Sequence, residues 1–365
     1  MTIDEKLEKV CQDFCISDTY LRHELIQVGN VNKTYRVIVR KSDDTEKSFL
    51  VQNLNTYVFK KPVEVMENID RVTEHIRLKN PNKIALHFHH TADRKTYVSD
   101  GDDFWRMTNF IPSVTHNVVS DLQVVRNAGR AFGEFQMQLS DFDSATLHVT
   151  IPDFHNTAKR FERLAETVAA DPVGKASEVR EELDYLFSVR EQACKLTALY
   201  EDGKLPLRVT HNDTKINNVL FAPDGVTPLV VVDLDTVMPG LVGHDFGDAI
   251  RFAANFVEED CADLTKVGVN MDVFRAFAEG FLEMTADTLT QEELDTLALS
   301  AFVLTVELAV RFLDDYIQGS PYFKINYPEH NLVRTRCQIA LAKDMAKHMS
   351  EMERIVRDCA GALKK

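Results

Sequence analysis

Apolar and polar residues alternate at two different periods along this chain, and the change from one to the other divides it. Residues 3 to 16 mix charged and apolar side chains at helical spacing, which predicts a first helix. From Leu25 to Val39 the pattern becomes that of a strand, interrupted by Gly29-Asn-Val-Asn-Lys-Thr34. Lys41-Ser-Asp-Asp44 reads as a hairpin turn and Lys47 to Asn53 as the returning strand. Pro62 opens a helix to about Lys79, with Val65, Ile69, Val72 and Ile76 on one face. Ile84–His89, Lys95–Ser99 and Phe104–Phe110 are three further short strand candidates.

Pro112 ends the strand-rich part. Beyond Leu122 the helical period dominates, predicting helices at 121–140, 157–170, 177–201, 246–257, 271–285, 291–317 and 328–358. Only 207–234 interrupts them with strands. The expectation is an α+β, two-lobed fold: a small antiparallel sheet as N-lobe over residues 1–111 and a larger, mainly helical C-lobe over 112–365. A cleft between two such lobes is a common place for a nucleotide.

Composition narrows the partners. The 365 residues are 44% hydrophobic and 27% charged, enough apolar material for two lobes. With 42 basic and 57 acidic residues the net charge is -15, which argues against general binding to nucleic acid or anionic membranes. The N-terminus does not read as a signal peptide, and no run reaches the roughly 18 apolar residues of a membrane span. Six scattered cysteines read as free thiols, and a cytoplasmic setting is expected, with the chain a monomer or weak homo-oligomer.

The candidate chemistry lies in Val209-Thr-His-Asn-Asp-Thr-Lys-Ile-Asn-Asn-Val-Leu-Phe221, answered by Val230-Val-Val-Asp-Leu-Asp235. Asp213 and Asn218 are five residues apart, and Asp233 follows on the next strand. Protein kinases use the same Asp-x-x-x-x-Asn spacing, followed by a metal-binding Asp. Phosphoryl transfer needs an oriented hydroxyl, a carboxylate to accept its proton, and a cation to neutralise phosphate charge. Asp233 and Asp235, at period two on a strand end, are expected to share one face. His211 reads as a buried, hydrogen-bonding support that pins the loop backbone rather than as a group that moves protons. His87, His89 and His90 lack a nearby carboxylate or Cys partner in sequence and read as strand-edge histidines.

This pair of motifs resembles the aminoglycoside phosphotransferase and choline kinase superfamily, the small-molecule branch of the protein-kinase-like fold. Thr210-His-Asn-Asp-Thr-Lys215, Asp233-Leu-Asp-Thr-Val-Met-Pro-Gly240, Asp245-Phe-Gly-Asp-Ala-Ile-Arg-Phe252 and Tyr327-Pro-Glu-His-Asn-Leu-Val-Arg-Thr-Arg336 are similar to the N-acetylhexosamine 1-kinases in particular. Asn32-Lys-Thr-Tyr35, Asn55-Thr56 and Phe132-Gly133 extend the likeness upstream. The resemblance implies transfer of the ATP γ-phosphate to the anomeric hydroxyl of N-acetylglucosamine or N-acetylgalactosamine, in amino-sugar salvage, so that the partners are ATP and a small sugar. Asp213 would be the catalytic base, Asn218 and Asp233 would hold Mg2+, and Asp235 would assist the metal or position the substrate. Other acceptors on the same scaffold (choline, homoserine, an aminoglycoside) and a nucleotide-binding pseudokinase are the competing readings.

The same resemblance assigns the nucleotide side. Gly29–Thr34 would cover the phosphates, with Asn32 and Thr34 donating hydrogen bonds. Gln52 stands where protein kinases carry a phosphate-binding Lys, so Lys33 or Arg106 would have to compensate. Arg106-Met-Thr-Asn-Phe-Ile111 would be the hinge, with the backbone at Asn109 and Ile111 meeting adenine. On the acceptor side Asp245 would tie down the catalytic loop and Asp248 would open a helix. Arg311 would contact the sugar, or else pair with Glu307 one turn earlier; Tyr322 would pack on the sugar or donate its hydroxyl. Arg334 and Arg336 would pair with carboxylates or reach the substrate.

Overall fold

Thr2 starts the first helix by a reciprocal cap, accepting from the Glu5 amide while the Glu5 carboxylate accepts from its own. That helix, α1 (Ile3–Asp13), lays Leu7, Val10 and Phe14 on one face of a five-stranded antiparallel sheet. The strands are β1 (Thr19–Ile26), β2 (Lys33–Arg40), β3 (Glu46–Asn53), β4 (Val98–Asp100) and β5 (Asp103–Asn109), in the order β1-β2-β3-β5-β4. Strand alternation puts Tyr35, Val37, Phe49, Val51, Trp105 and Met107 against α1. The opposite face carries Thr34, Gln52 and Arg106 and meets α2 (Pro62–Lys79). The computed structural model describes residues 1–26, 31–81, 83–101, 103–117 and 121–363, so Gly29 and part of the candidate phosphate loop lie outside the described residues.

The rest is mainly helical: α3 (Leu122–Gln138), α4 (Thr157–Ala170), α5 (Arg180–Ser188), α6 (Arg190–Ala193), α7 (Lys195–Glu201), α8 (Val242–Ala253), α9 (Met271–Thr285), α10 (Gln291–Ile317) and α11 (His330–Leu363). Two short ribbons interrupt it, β6 (Arg208–Thr210) with β9 (Met238–Gly240), and β7 (Val219–Phe221) with β8 (Pro228–Val231). The two-lobed α+β architecture expected from the sequence is the one that forms. α10 is the axis of the helical lobe, packed against α4, α8 and α11. By length and composition α10 could cross a membrane, against the expectation that no segment would; 78% of that stretch is buried, which marks it as a core helix. α3 and α9 approach closely enough that a Cβ on Gly280 would sit 1.9 Å from the Arg126 carbonyl oxygen.

Four local expectations fail for identifiable reasons. β1 begins at Thr19, because an edge strand with no fully buried residue leaves little apolar signal. Ile84–His89 forms a single bridge, Phe88 to Thr108, and no strand. Its histidines are spent on neighbours: His87 with Glu74, His89 with Asn109 and His90 with Asp70. Residues 177–201 break into a 3-10 turn and three short helices. α8 starts at Val242, so Asp248 lies inside the helix instead of opening it.

Candidate active site

The catalytic-loop candidate leaves β6 at Thr210 and turns at once. Asn212 adopts φ 63, a left-handed conformation that Asn tolerates better than most residues. A buried carboxylate holds this turn in place. Asp245 accepts from the amides of His211 (2.9 Å) and Asn212 (2.7 Å) and from Gln136 Nε2 (2.6 Å). Burial pushes the Asp245 carboxyl up, while those donors work to keep it ionised. Asp248 adds a second anchor, accepting from the Thr214 amide (3.1 Å) and from Arg251, which reaches on to Glu259. Gly240 leaves room for the loop: a Cβ there would meet Thr210 Oγ1 at 2.2 Å.

His211 is part of this scaffold. Its Nδ1 accepts from the Asp213 amide (3.3 Å), so the network assigns the ring hydrogen to Nε2, which donates to the Val232 carbonyl (2.8 Å). Both nitrogens are spent on backbone, and the ring is fully buried against Phe132 and Phe135. This geometry has His211 pin the loop, as the sequence suggested.

Asp213, half-buried, is thereby presented outward. Its Oδ1 lies 2.9 Å from Lys215 Nζ. Its Oδ2 and its carbonyl accept from Asn218 Nδ2 at 3.3 and 2.8 Å. Burial works against the Lys215 ammonium, but Asp213 and Asp248 outweigh it and hold its pKa above the usual value. Lys215 was not singled out as a site residue, although its place two residues after Asp213 was the available signal.

Asp233 and Asp235 do not share a strand face. β8 ends at Val231, and Asp233 is left-handed (φ 60, ψ 58) at the head of a 3-10 turn, Leu234–Thr236. Asp233 is exposed, yet desolvation by the surrounding protein, reinforced by Asp235 and Asp213, pushes its carboxyl up to about 7. Asp235 is buried and already engaged, one oxygen with Arg106 and the other with Asn32 Nδ2 (2.7 Å). Asp235, expected to assist the metal or position the substrate, is engaged here in a bridge between lobes. The donors that suit a hard divalent cation are the Asp233 carboxylate and Asn218 Oδ1, which accepts no hydrogen bond among the described residues.

The other nucleotide-side residues are reached through the same bridge. Thr34 Oγ1 accepts from Gln52 Nε2 (3.1 Å), and Gln52 Oε1 from Arg106 Nε (3.0 Å). Asn109, at the end of β5, has its side chain bonded to His89, and the Ile111 carbonyl accepts from Ser113 Oγ. Any contact of these two with a base would therefore run through the backbone. Lys33 pairs in register with Asn53 and leaves the sheet on the α1 side. A cavity of about 380 Å3 lies behind the Asp233 turn between α2, α3 and β8, and none of the candidate residues lines it.

The acceptor-side residues meet where α4 and α10 approach the loop. His155 bridges the two: Nδ1 faces Glu307 Oε1 (2.8 Å) and Nε2 the Asn212 carbonyl (3.3 Å). Glu307 also accepts from Thr157 Oγ1 (2.7 Å), so it is not the partner of Arg311. The Arg311 guanidinium instead lies over Phe154 (5.7 Å) and Phe323 (5.5 Å), and Phe323 packs against Tyr322. Arg336 pairs with Glu182, and Arg334 braces the Lys324 carbonyl. Arg160, not anticipated from sequence, donates from Nη2 to the Phe154 carbonyl (2.9 Å), on the residue whose ring lies under Arg311; burial and that like charge lower its pKa, and its Nε has no partner among the described residues.

Glu307 offers a test of how the loop is supported. Burial alone would raise its pKa, but His155, Arg160 and Thr157 pull it down to about 2. A depressed carboxylate stabilises the fold above its unfolded pKa, and that stabilisation disappears as pH falls from about 4.5 toward 2. Glu307→Gln is expected to cost roughly 3 kcal/mol at pH 7 and clearly less at pH 3. Denaturant melts at both pH values measure this; an equal loss at both would remove the ionic contribution.

Comparison with known proteins agrees with this geometry. The fold is similar to a microcompartment-associated aminopropanol kinase (TM-score 0.65, 16% identity, 96% of this chain and 98% of that one). It is also similar to an ethanolamine kinase of Plasmodium vivax (0.57, 15%, 89% and 84%) and a choline kinase of Cryptosporidium parvum (0.53, 14%, 97% and 96%). At such identities the likeness establishes the kinase-like fold and no more. Residues 25–277, well over half of the chain, match the phosphotransferase enzyme family, and with the loop and turn arranged as described the chain belongs to that family.

Proposed function

We propose that this protein transfers the γ-phosphate of ATP to the anomeric hydroxyl of an N-acetylhexosamine, giving the sugar 1-phosphate and ADP. In this reading the nucleotide lies between residues 1–111 and 112–365, with the backbone near Asn109 and Ile111 against the base. Asp233 and Asn218 hold Mg2+, which neutralises phosphate charge when bound. Asp213 orients the hydroxyl and takes its proton as the oxygen–phosphorus bond forms and the bond to the ADP oxygen breaks. An anomeric hydroxyl is more acidic than an ordinary alcohol, so an ionised Asp is a sufficient acceptor. Lys215 is placed to steady that carboxylate and to meet the transferred group.

The observation that carries the acceptor class is the guanidinium pair, Arg160 and Arg311, beside Phe154, Phe323 and Tyr322. Two cations side by side repel an amine and favour hydroxyl and amide-carbonyl acceptors. The nearby carboxylates are already engaged: Glu307 by His155 and Thr157, Asp314 by Thr167 and Arg163, and Asp315 by the amides of Tyr322 and Phe323. That leaves little for choline, ethanolamine or an aminoglycoside to pair with. Asp213, Asn218 and Asp233 standing together speak against a pseudokinase. The resemblance of Arg311, Tyr322 and Tyr327–Arg336 to the N-acetylhexosamine 1-kinases supports a sugar acceptor.

A panel of N-acetylglucosamine, N-acetylgalactosamine, glucose, choline, ethanolamine and an aminoglycoside, read by ADP release, tests this. The N-acetylhexosamines are expected to turn over, and Arg311→Ala to raise their KM about 10- to 100-fold with the KM for ATP unchanged, the scale of one charge-assisted hydrogen bond. Turnover of choline or an aminoglycoside without turnover of N-acetylhexosamines would overturn the acceptor assignment.

A further inference from the structure

β3 presents Gln52 where a cation is expected, and the register places Arg106 directly beside it on β5. Cross-strand partners leave a sheet on the same face. Arg106 is 2% exposed, covered by Phe88 and Met66, so its guanidinium is enclosed. Its Nε donates to Gln52 and its Nη1 pairs with Asp235, which is 3% exposed. The second Asp235 oxygen accepts from Asn32, whose own Oδ1 accepts the Asn55 amide (2.9 Å). Two segments of the sheet lobe, each tied to the region at the end of β3 through Gln52 or Asn55, thus converge on one carboxylate, two residues after Asp233 and within the same turn.

Two roles for Arg106 can be separated on this geometry. A phosphate ligand must reach the cleft, whereas this guanidinium is buried and committed at Nε and Nη1. A group that fixes Asp235 instead fixes the Leu234–Thr236 turn, and with it the left-handed Asp233 at its head. We propose that Arg106 is a positioning residue: its buried pair with Asp235 holds the turn that presents Asp233 to a divalent cation. The bond from Asn32 places the start of β2 under the same control. The charge that a kinase usually carries on the third strand has moved one strand across and acts on the metal ligand instead of on phosphate. This rests on the reading of Asp233 as the cation's ligand.

The test is calorimetric titration of ADP at several Mg2+ concentrations and in EDTA, with thermal melts alongside. The whole chain is used, as wild type, Arg106→Gln, and the double variant Arg106→Met/Asp235→Leu. The double variant removes both charges together, which spares the fold the cost of one unpaired buried ion. Both variants are expected to weaken the apparent Mg2+ affinity about 10- to 100-fold, as changes to groups that orient metal ligands do, with ADP affinity in EDTA within about twofold of wild type. A tenfold or greater loss of ADP affinity in EDTA would make Arg106 a phosphate ligand and overturn the proposal. A lowered melting temperature with unchanged Mg2+ dependence would reduce it to a structural strut, which also overturns it. Wild type whose ADP affinity ignores Mg2+ would instead remove the cation reading beneath it.

Discussion

Asp213→Asn is expected to lower turnover by about 10²–10⁴-fold, the usual contribution of a positioned base, while leaving nucleotide affinity close to wild type. The substitution keeps the shape of the side chain but removes its negative charge. It also places an amide against the Lys215 ammonium and the Asn218 Nδ2, both donors that now face an acceptor carboxylate. The loop itself should persist, because Asp245 and Asp248 hold it through the amides of His211, Asn212 and Thr214 and not through the Asp213 side chain. A loss confined to kcat, with ADP binding by calorimetry unchanged, is therefore the expected signature. Unchanged turnover would take Asp213 out of the mechanism.

Asp233→Asn is expected to abolish most of the Mg2+ dependence of nucleotide binding, by more than the roughly 100-fold that supporting residues reach. Asn is the apt replacement because Asp233 is left-handed, where Ala would add backbone strain. Asp235 cannot take over, being held by Arg106 and Asn32. The same variant should behave in the opposite sense without metal. The Asp233 carboxyl is pushed up to about 7 by desolvation and by Asp235 and Asp213, above its unfolded value, so its ionisation costs stability as pH rises from about 4 to 7. Metal-free Asp233→Asn should therefore melt above wild type at pH 8 and level with it at pH 4, by about 1 kcal/mol or less given its contact with solvent. Lower melting at pH 8 would contradict the electrostatic account of this turn.

Long apolar periodicity was the legible part of the sequence. α2 lies at residues 62–79 and α10 at 291–317, as the pattern and, for α2, Pro62 indicate. The motif around Asp213, Asn218 and Asp233 was legible because spacing alone defines it. What escaped was decided by distant partners. Asp235 looked like the twin of Asp233 because period two is the only geometry that sequence offers for Asp-x-Asp at a strand end. The chain leaves β8 at Val231, and the fate of Asp235 is set by an arginine 129 residues away. Gln52 pointed toward that arginine, since a missing cation asks for another nearby, but only the pairing of β3 with β5 chooses Arg106 over Lys33. Arg160 and Arg311 illustrate the same limit. Each sits on its own helix, and their adjacency is a property of how α4 packs on α10.

On the proposed function these groups phosphorylate a sugar at its anomeric oxygen, and phosphorus and proton NMR of the product from wild-type protein, ATP, Mg2+ and N-acetylglucosamine tests this most directly. A new phosphate monoester signal coupled to the anomeric proton is expected, appearing in step with ADP and strongly reduced with Asp213→Asn. A phosphate coupled to any other sugar proton, or ADP formed with no phosphorylated sugar, would contradict it.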